Sequence, residues 1–142
     1  MSKKYLSRFD EVSKKICKAS RPIVYAGHGC TFYKNSLVWF TEHFHIPVMV
    51  SWRAIDLVPD APRPGMFNTI ANKVLDEADL VLVLGARLDD TLTGYDLANF
   101  ATNAVKIVVD IDQAELDRLP EDYIKINMDV GDFLRRINEL RT

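Results

Sequence analysis

Arg87, Asp89 and Asp90 form the densest cluster of chemically capable side chains in the chain, and they follow directly on the apolar run Leu80-Val81-Leu82-Val83-Leu84 and Gly85. A guanidinium presents a planar fork of donors that grips phosphate or carboxylate, while a nearby Asp orients it or accepts a ribose hydroxyl. The same residue types also serve structure: Asp90 or Thr91 can cap a following helix, and Arg87 can pair with an Asp. Asp110-Ile111-Asp112 repeats the theme after a second apolar run. Its carboxylates suit ribose hydroxyls, or Asp112 simply N-caps residues 113 to 117. A third cluster is Ala26-Gly27-His28-Gly29-Cys30, where glycines let the backbone turn tightly and approach a ligand. As a dinucleotide fingerprint it is incomplete. Phe32 stands at the third glycine position, and Ser51-Trp52 replaces the acidic residue that would bind ribose at the end of the second strand. An ordinary NAD-binding domain is therefore not expected. His28 is the one histidine beside such a turn, whereas His43 and His45 fall at a helix end, where they favour the helix dipole or cap carbonyls. No set of metal-ligand spacing, no nucleophile elbow and no Walker loop is present.

These clusters need elements to hold them. Leu80–Leu84 is unbroken apolar sequence, the mark of a strand buried on both faces of a parallel sheet. The polar residues after it then lie past the carboxyl end of a central strand, where open α/β sheets bind ligands. Leu6, Phe9, Val12, Ile16 and Cys17 recur at helical spacing over residues 5 to 19, and Pro22 ends that helix. Strands are predicted at 23 to 26, 47 to 51, 79 to 84, 105 to 111 and 123 to 126, and helices at 34 to 44, 68 to 77, 92 to 101 and 130 to 140. Pro59, Pro62 and Pro64 make 53 to 67 a loop. Strict alternation of strand and helix implies right-handed crossovers. The expected fold is α/β, a Rossmann-like three-layer parallel sheet of five to six strands with helices on both faces.

Bulk properties fit one globular domain over residues 1–142. The chain is 48% hydrophobic and 27% charged, neither disordered nor membrane composition, and its formal net charge of −2 argues against a nucleic-acid surface. No apolar run reaches the ~20 residues that span a bilayer. Met1-Ser2-Lys3-Lys4 has no apolar segment behind it, so no signal peptide is expected. Cys17 and Cys30 read as reduced thiols, and the expected location is cytoplasmic.

The same residues resemble the central domain of thiamine-diphosphate enzymes of the acetolactate synthase (acetohydroxyacid synthase) group. The likeness rests on the segments Arg21 to Cys30, Ile46 to Ser51, Asn72 with Asp76 to Leu80, Gly85 to Asp90 with Thr93-Gly94, and Asp110-Ile111-Asp112, in order and spacing over nearly the whole chain. The resemblance implies three α/β domains in the full-length enzyme, the outer two binding thiamine diphosphate and Mg²⁺ across a dimer interface. The middle one cradles FAD without net redox chemistry, or another adenine nucleotide, or nothing. Carried over by position, the contacting residues are Gly27, His28, Gly29, Ser51, Trp52, Arg53, Gly85, Arg87, Asp89, Leu92, Asp110 and Ile111. The sequence departs from the family where Ala54 and Asp56 replace two glycines, where Met128 precedes Asp129 in place of glycine, and where Phe67 stands for a histidine.

The resemblance thus implies a central domain of an enzyme that condenses or decarboxylates 2-keto acids, with no catalytic residues of its own. Its partners would be the outer thiamine-binding domains in a homo-oligomer, with neither nucleic acid nor membrane involved. No Gly-Asp-Gly followed by a distant Asn is present, the pattern that holds Mg²⁺ and diphosphate in the family's third domain. The alternatives are a stand-alone nucleotide-binding or regulatory module and a purely structural domain.

Overall fold

The computed structural model describes residues 3–51, 54, 56–58, 60–61, 69–88 and 101–141, of which 3–8, 69–70 and 140–141 are described through their backbone alone. Five strands, β1 (Pro22–Ala26), β2 (Val48–Val50), β3 (Leu80–Leu84), β4 (Val105–Asp110) and β5 (Ile124–Asn127), form one sheet. The helices are α1 (Lys3–Lys18), α2 (Lys34–His43), α3 (Thr69–Glu77), α4 (Gln113–Asp117) and α5 (Val130–Arg141), with a 3₁₀ turn at His28–Cys30.

Every strand pair is parallel, and the spatial order is β2-β1-β3-β4-β5. The chain leaves β1 toward one edge and returns on its other side, so the order reverses between β1 and β3. Such switch points open a crevice at the carboxyl ends of the strands.

Strand periodicity sorts the apolar residues onto two faces. Val24, Ala26, Leu82, Leu84, Ile107 and Val109 face a core completed by Val12 and Ile16 of α1, Leu37 and Phe40 of α2, and Phe133, Leu134 and Ile137 of α5. Ile23, Tyr25, Val81, Val83 and Val108 face a second core with Ala71 and Leu75 of α3 and Leu116 of α4. All five residues of β3 are buried, which explains its unbroken apolar sequence. At the opposite edge Asp79 accepts backbone N–H groups from Ser20 (2.7 Å) and Arg21 (2.9 Å), tying the entry of β1 to that of β3.

The α/β reading and the five strands agree with the sequence, with most boundaries shifted by a residue or two. The predicted helix at 92 to 101 lies outside the described residues except for Ala101, which is in a turn with φ of 45°. The proline-rich loop is more than a connector. Successive turns, Ala54 N–H to Ser51 C=O, Leu57 N–H to Ala54 C=O and Ala61 N–H to Val58 C=O, lay Ala54, Leu57 and Ala61 into the first core.

Gly85 has φ of +60°, and a Cβ there would stand 2.7 Å from the Cα of Gly29. Gly85→Ala is expected to cost about 2–4 kcal/mol, left-handed strain and backbone overlap together. Denaturant unfolding measures it; a loss below ~1 kcal/mol would show that the loops can separate freely.

Candidate functional site

Parallel register places the sequence clusters in one row. Val50, Ala26, Leu84, Val109 and Ile126 are aligned partners across the five strands. The residues one step further, Ser51, Gly27, Gly85, Asp110 and Asn127, therefore emerge side by side at the carboxyl edge. The ladder runs on into them: Ser51 N–H donates to Ala26 C=O (3.0 Å), Gly27 N–H to Leu84 C=O (2.9 Å), Gly85 N–H to Val109 C=O (3.0 Å) and Met128 N–H to Asp110 C=O (3.1 Å).

The glycines act first on each other. A Cβ on Gly27 would lie 2.5 Å from the Cα of Ala86, and one on Gly29 would lie 2.8 Å from the Cα of Gly85. Gly29 N–H also donates to Gly85 C=O at 3.0 Å. Their bareness thus closes the loop after β1 onto the loop after β3. It brings His28, whose ring is exposed, and Arg87 to the two sides of that contact. Cys30 points inward, its thiol donating to Leu84 C=O at 3.2 Å. Burial pushes the thiol pKa up to about 12, so Cys30 is an inert core residue.

The charged groups gather one strand over, where β3 and β4 end. The Arg87 guanidinium lies 3.9 Å from the Asp112 carboxylate, with side-chain exposures of 74% and 48%. Such an open pair contributes about 0–1 kcal/mol, so the Arg87 fork is not committed to holding the fold. Asp112 does N-cap α4: its Oδ1 accepts from Ala114 N–H at 3.0 Å. Asp110 Oδ1 accepts from Asp112 N–H at 2.8 Å. Burial raises the Asp110 pKa, the negative charges of Glu115 and Asp112 add to the rise, and Asp112 N–H and Arg87 oppose it. Between the two carboxylates Ile111 is 71% exposed, an apolar side chain held in water at the carboxyl edge of the sheet.

The described part of the predicted set, Gly27, His28, Gly29, Ser51, Gly85, Arg87, Asp110 and Ile111, therefore lies along one edge. Trp52, Arg53, Asp89 and Leu92 lie outside the described residues. The described side chains gathered here are a largely exposed Arg87 guanidinium, the half-buried Asp110 carboxylate and the exposed Ile111. Among the described residues no group of three or more His, Cys, Asp or Glu is placed to hold a metal ion.

Two arrangements escape a reading of the sequence clusters. Arg118, the C-cap residue of α4, grips Glu115 with two of its nitrogens, Nε to Oε2 at 2.8 Å and Nη2 to Oε1 at 2.6 Å, and Nη2 also donates to Leu88 C=O. The Glu-x-x-Arg spacing on a helix is a local signal for the pair, but nothing local announces Leu88, thirty residues away. The Tyr33 hydroxyl donates to Asp129 Oδ2 at 2.8 Å, a bond that raises the Tyr33 pKa by favouring the phenol. Its ring lies over Gly131, where a Cβ would fall 2.3 Å from Tyr33 Cε1. This contact joins the start of α2 to the start of α5 across most of the chain length.

Parallel topology with a switch point between β1 and β3 defines a Rossmann-like class of α/β domain. The sequence matches the family described as "Thiamine pyrophosphate enzyme, central domain" over residues 9–137, and the chain belongs to that family. It is 35% identical over 137 residues to acetolactate synthase 1, chloroplastic, of Oryza sativa subsp. japonica, a match covering 92% of this chain and 21% of the relative. It is 34% identical over 134 residues to the acetolactate synthase isozyme 1 large subunit of Escherichia coli (strain K12), covering 89% of this chain and 24% of the relative. The chain thus spans about a fifth to a quarter of these relatives' length. A solved structure from Mycobacterium smegmatis, described as a thiamin diphosphate-dependent enzyme, superposes with a TM-score of 0.74 at 20% identity. That match covers 95% of this chain and 28% of the other, and it supports the fold.

Asp110 carries a pH prediction. A carboxyl whose pKa is raised on folding adds stability below its unfolded value and loses it as pH rises through the folded value. Asp110→Asn keeps the acceptor for Asp112 N–H and removes the half-buried charge. It is expected to melt higher than the wild-type chain at pH 7, with the gap shrinking as pH falls below the ordinary Asp range. A gap that widens in acid, seen by thermal melts across pH, would contradict the assignment.

Proposed function

We propose that this chain is the central, nucleotide-binding domain of an acetolactate-synthase-like enzyme that condenses or decarboxylates 2-keto acids. The observation that carries the reading is the convergence of Arg87, Asp110 and Ile111 at the ends of β3 and β4, next to the glycine-laced loops of the switch point. FAD or another adenine nucleotide would lie along this edge, with Arg87 at phosphate, Asp110 at ribose and Ile111 against the base. When bound, such a nucleotide supplies no bond-making chemistry here; it completes and stiffens the edge. Asp89 and Leu92 after β3, and Trp52 and Arg53 after β2, would extend the contact by their place in the sequence.

Thiamine diphosphate and Mg²⁺ belong to the outer domains in this reading. Residues 1–142 would act as one domain, meeting those outer domains in a homo-oligomer. No helix among the described residues is long and apolar enough to cross a membrane. Cys17 and Cys30 are not joined in a disulfide, which fits a reducing compartment such as the cytoplasm, while the plant relatives are named chloroplastic.

Titration with ADP and with FAD tests the site. Arg87→Ala is expected to weaken binding by about 1.5–3 kcal/mol, roughly ten- to a hundredfold, the scale of a charged hydrogen bond. Its melting temperature should stay near that of the wild type, because the Arg87–Asp112 pair is exposed. Unchanged affinity for both nucleotides would refute the role of Arg87.

The chain by itself is also expected to turn over no pyruvate when supplied with thiamine diphosphate, Mg²⁺ and FAD. It lacks the motif that holds the diphosphate and metal. Acetolactate formation by the purified chain would overturn the assignment of catalysis to other domains.

A further inference from the structure

The Glu115–Arg118 pair is built more strongly than its surface position requires. Glu115 is 8% exposed, so its carboxylate is costly unless compensated, and the Arg118 fork covers both of its oxygens. A helical ion pair alone would need nothing more. Yet the same guanidinium reaches across to Leu88 C=O, on the segment that leaves β3. Leu88 itself is 1% exposed, and Arg87 beside it carries the open cation of the edge. At the other end of that segment Gly85 is pinned by Gly29 N–H and by Val109 C=O. The residues Gly85 to Leu88 are thus fastened at both ends: by the glycine contact at the start and by Arg118 at the finish. Glu115 also lies close enough to Asp110 for its charge to raise the Asp110 pKa, so neutralising Glu115 bears on the ribose-side carboxylate as well.

We infer that Arg118, oriented by Glu115, is a positioning residue that fixes the Gly85–Leu88 segment and so presents Arg87 to the phosphates of a bound nucleotide. The inference rests on the nucleotide-binding reading above and adds to it the device that preorganises the cation. A fixed segment holds the Arg87 backbone in place before binding, so less ordering is left for the ligand to drive.

Three variants separate positioning from plain stability. Arg118→Met leaves Glu115 buried and unpaired, so it should lose both stability and affinity for ADP. The double variant Glu115→Gln with Arg118→Met removes the stranded charge, and its melting temperature should recover toward wild type. Its ADP dissociation constant should nevertheless stay about five- to tenfold weaker. Hydrogen exchange at residues 85–88 should remain faster than wild type in the double variant, with exchange in β1 unchanged. Arg118→Lys, which keeps the charge but lacks the fork, should fall between.

Affinity that returns together with stability in the double variant overturns the proposal, because the pair would then act only through folding. If the wild-type chain binds neither ADP nor FAD, the nucleotide reading fails, and exchange alone judges the anchor. Faster exchange at 85–88 upholds it, and unchanged exchange overturns it.

Discussion

The loop after β1 and the loop after β3 touch backbone to backbone through Gly27, Gly29 and Gly85, and the carboxyl edge is arranged around that contact. Any Cβ at these positions would overlap main-chain atoms that have nowhere to go. Val130, at the start of α5, packs against the same Gly85. One small knot therefore fixes the exit of two central strands and the entry of the closing helix. In many doubly wound domains the glycine-rich turn offers its N–H groups to a ligand. Here the Gly27 and Gly29 amides are already used by Leu84 and Gly85 carbonyls. These two amides hold the loops to the sheet and to each other.

The charged groups beside the knot are unequal in number and in freedom. Asp110, Asp112 and Glu115 confront Arg87 and Arg118. Arg118 is spent on Glu115 and Leu88, and Asp112 is spent on the cap of α4. Among the described residues, Arg87 stays largely exposed and Asp110 half-buried.

Much of this was legible in the amino-acid order. The all-apolar β3 announced a strand buried on both faces, and strand-helix alternation announced parallel crossovers. Ends of elements were less sharp. Thr41 C=O accepts from Ile46 N–H, and His45 adopts φ of 56°, so α2 stops at His43 through a left-handed residue that is not glycine. His43 stacks on Trp39, ring centroids 4.1 Å apart. The capping role of Asp112 was readable because it is local. The Tyr33–Asp129 bond was not, because its partners are 96 positions apart and only the folded sheet brings them together. Gly131 needs that same long-range fact, since its lack of a side chain matters only under the Tyr33 ring. The segment after β2 looked like a plain loop because proline and charge dominate its sequence, yet its few small apolar residues are what the core uses.

The two outer strands are short, Val48–Val50 on one side and Ile124–Asn127 on the other. At β5 the chain also blunts its own rim. Lys125 folds back to Leu119 C=O, and the Asn127 amide donates to the Asp110 and Ile111 carbonyls. A rim of this kind offers little template for a strand from another molecule. Copies of this chain that meet would then do so through helices and connecting loops, leaving the sheet of each copy closed to fibre-like addition.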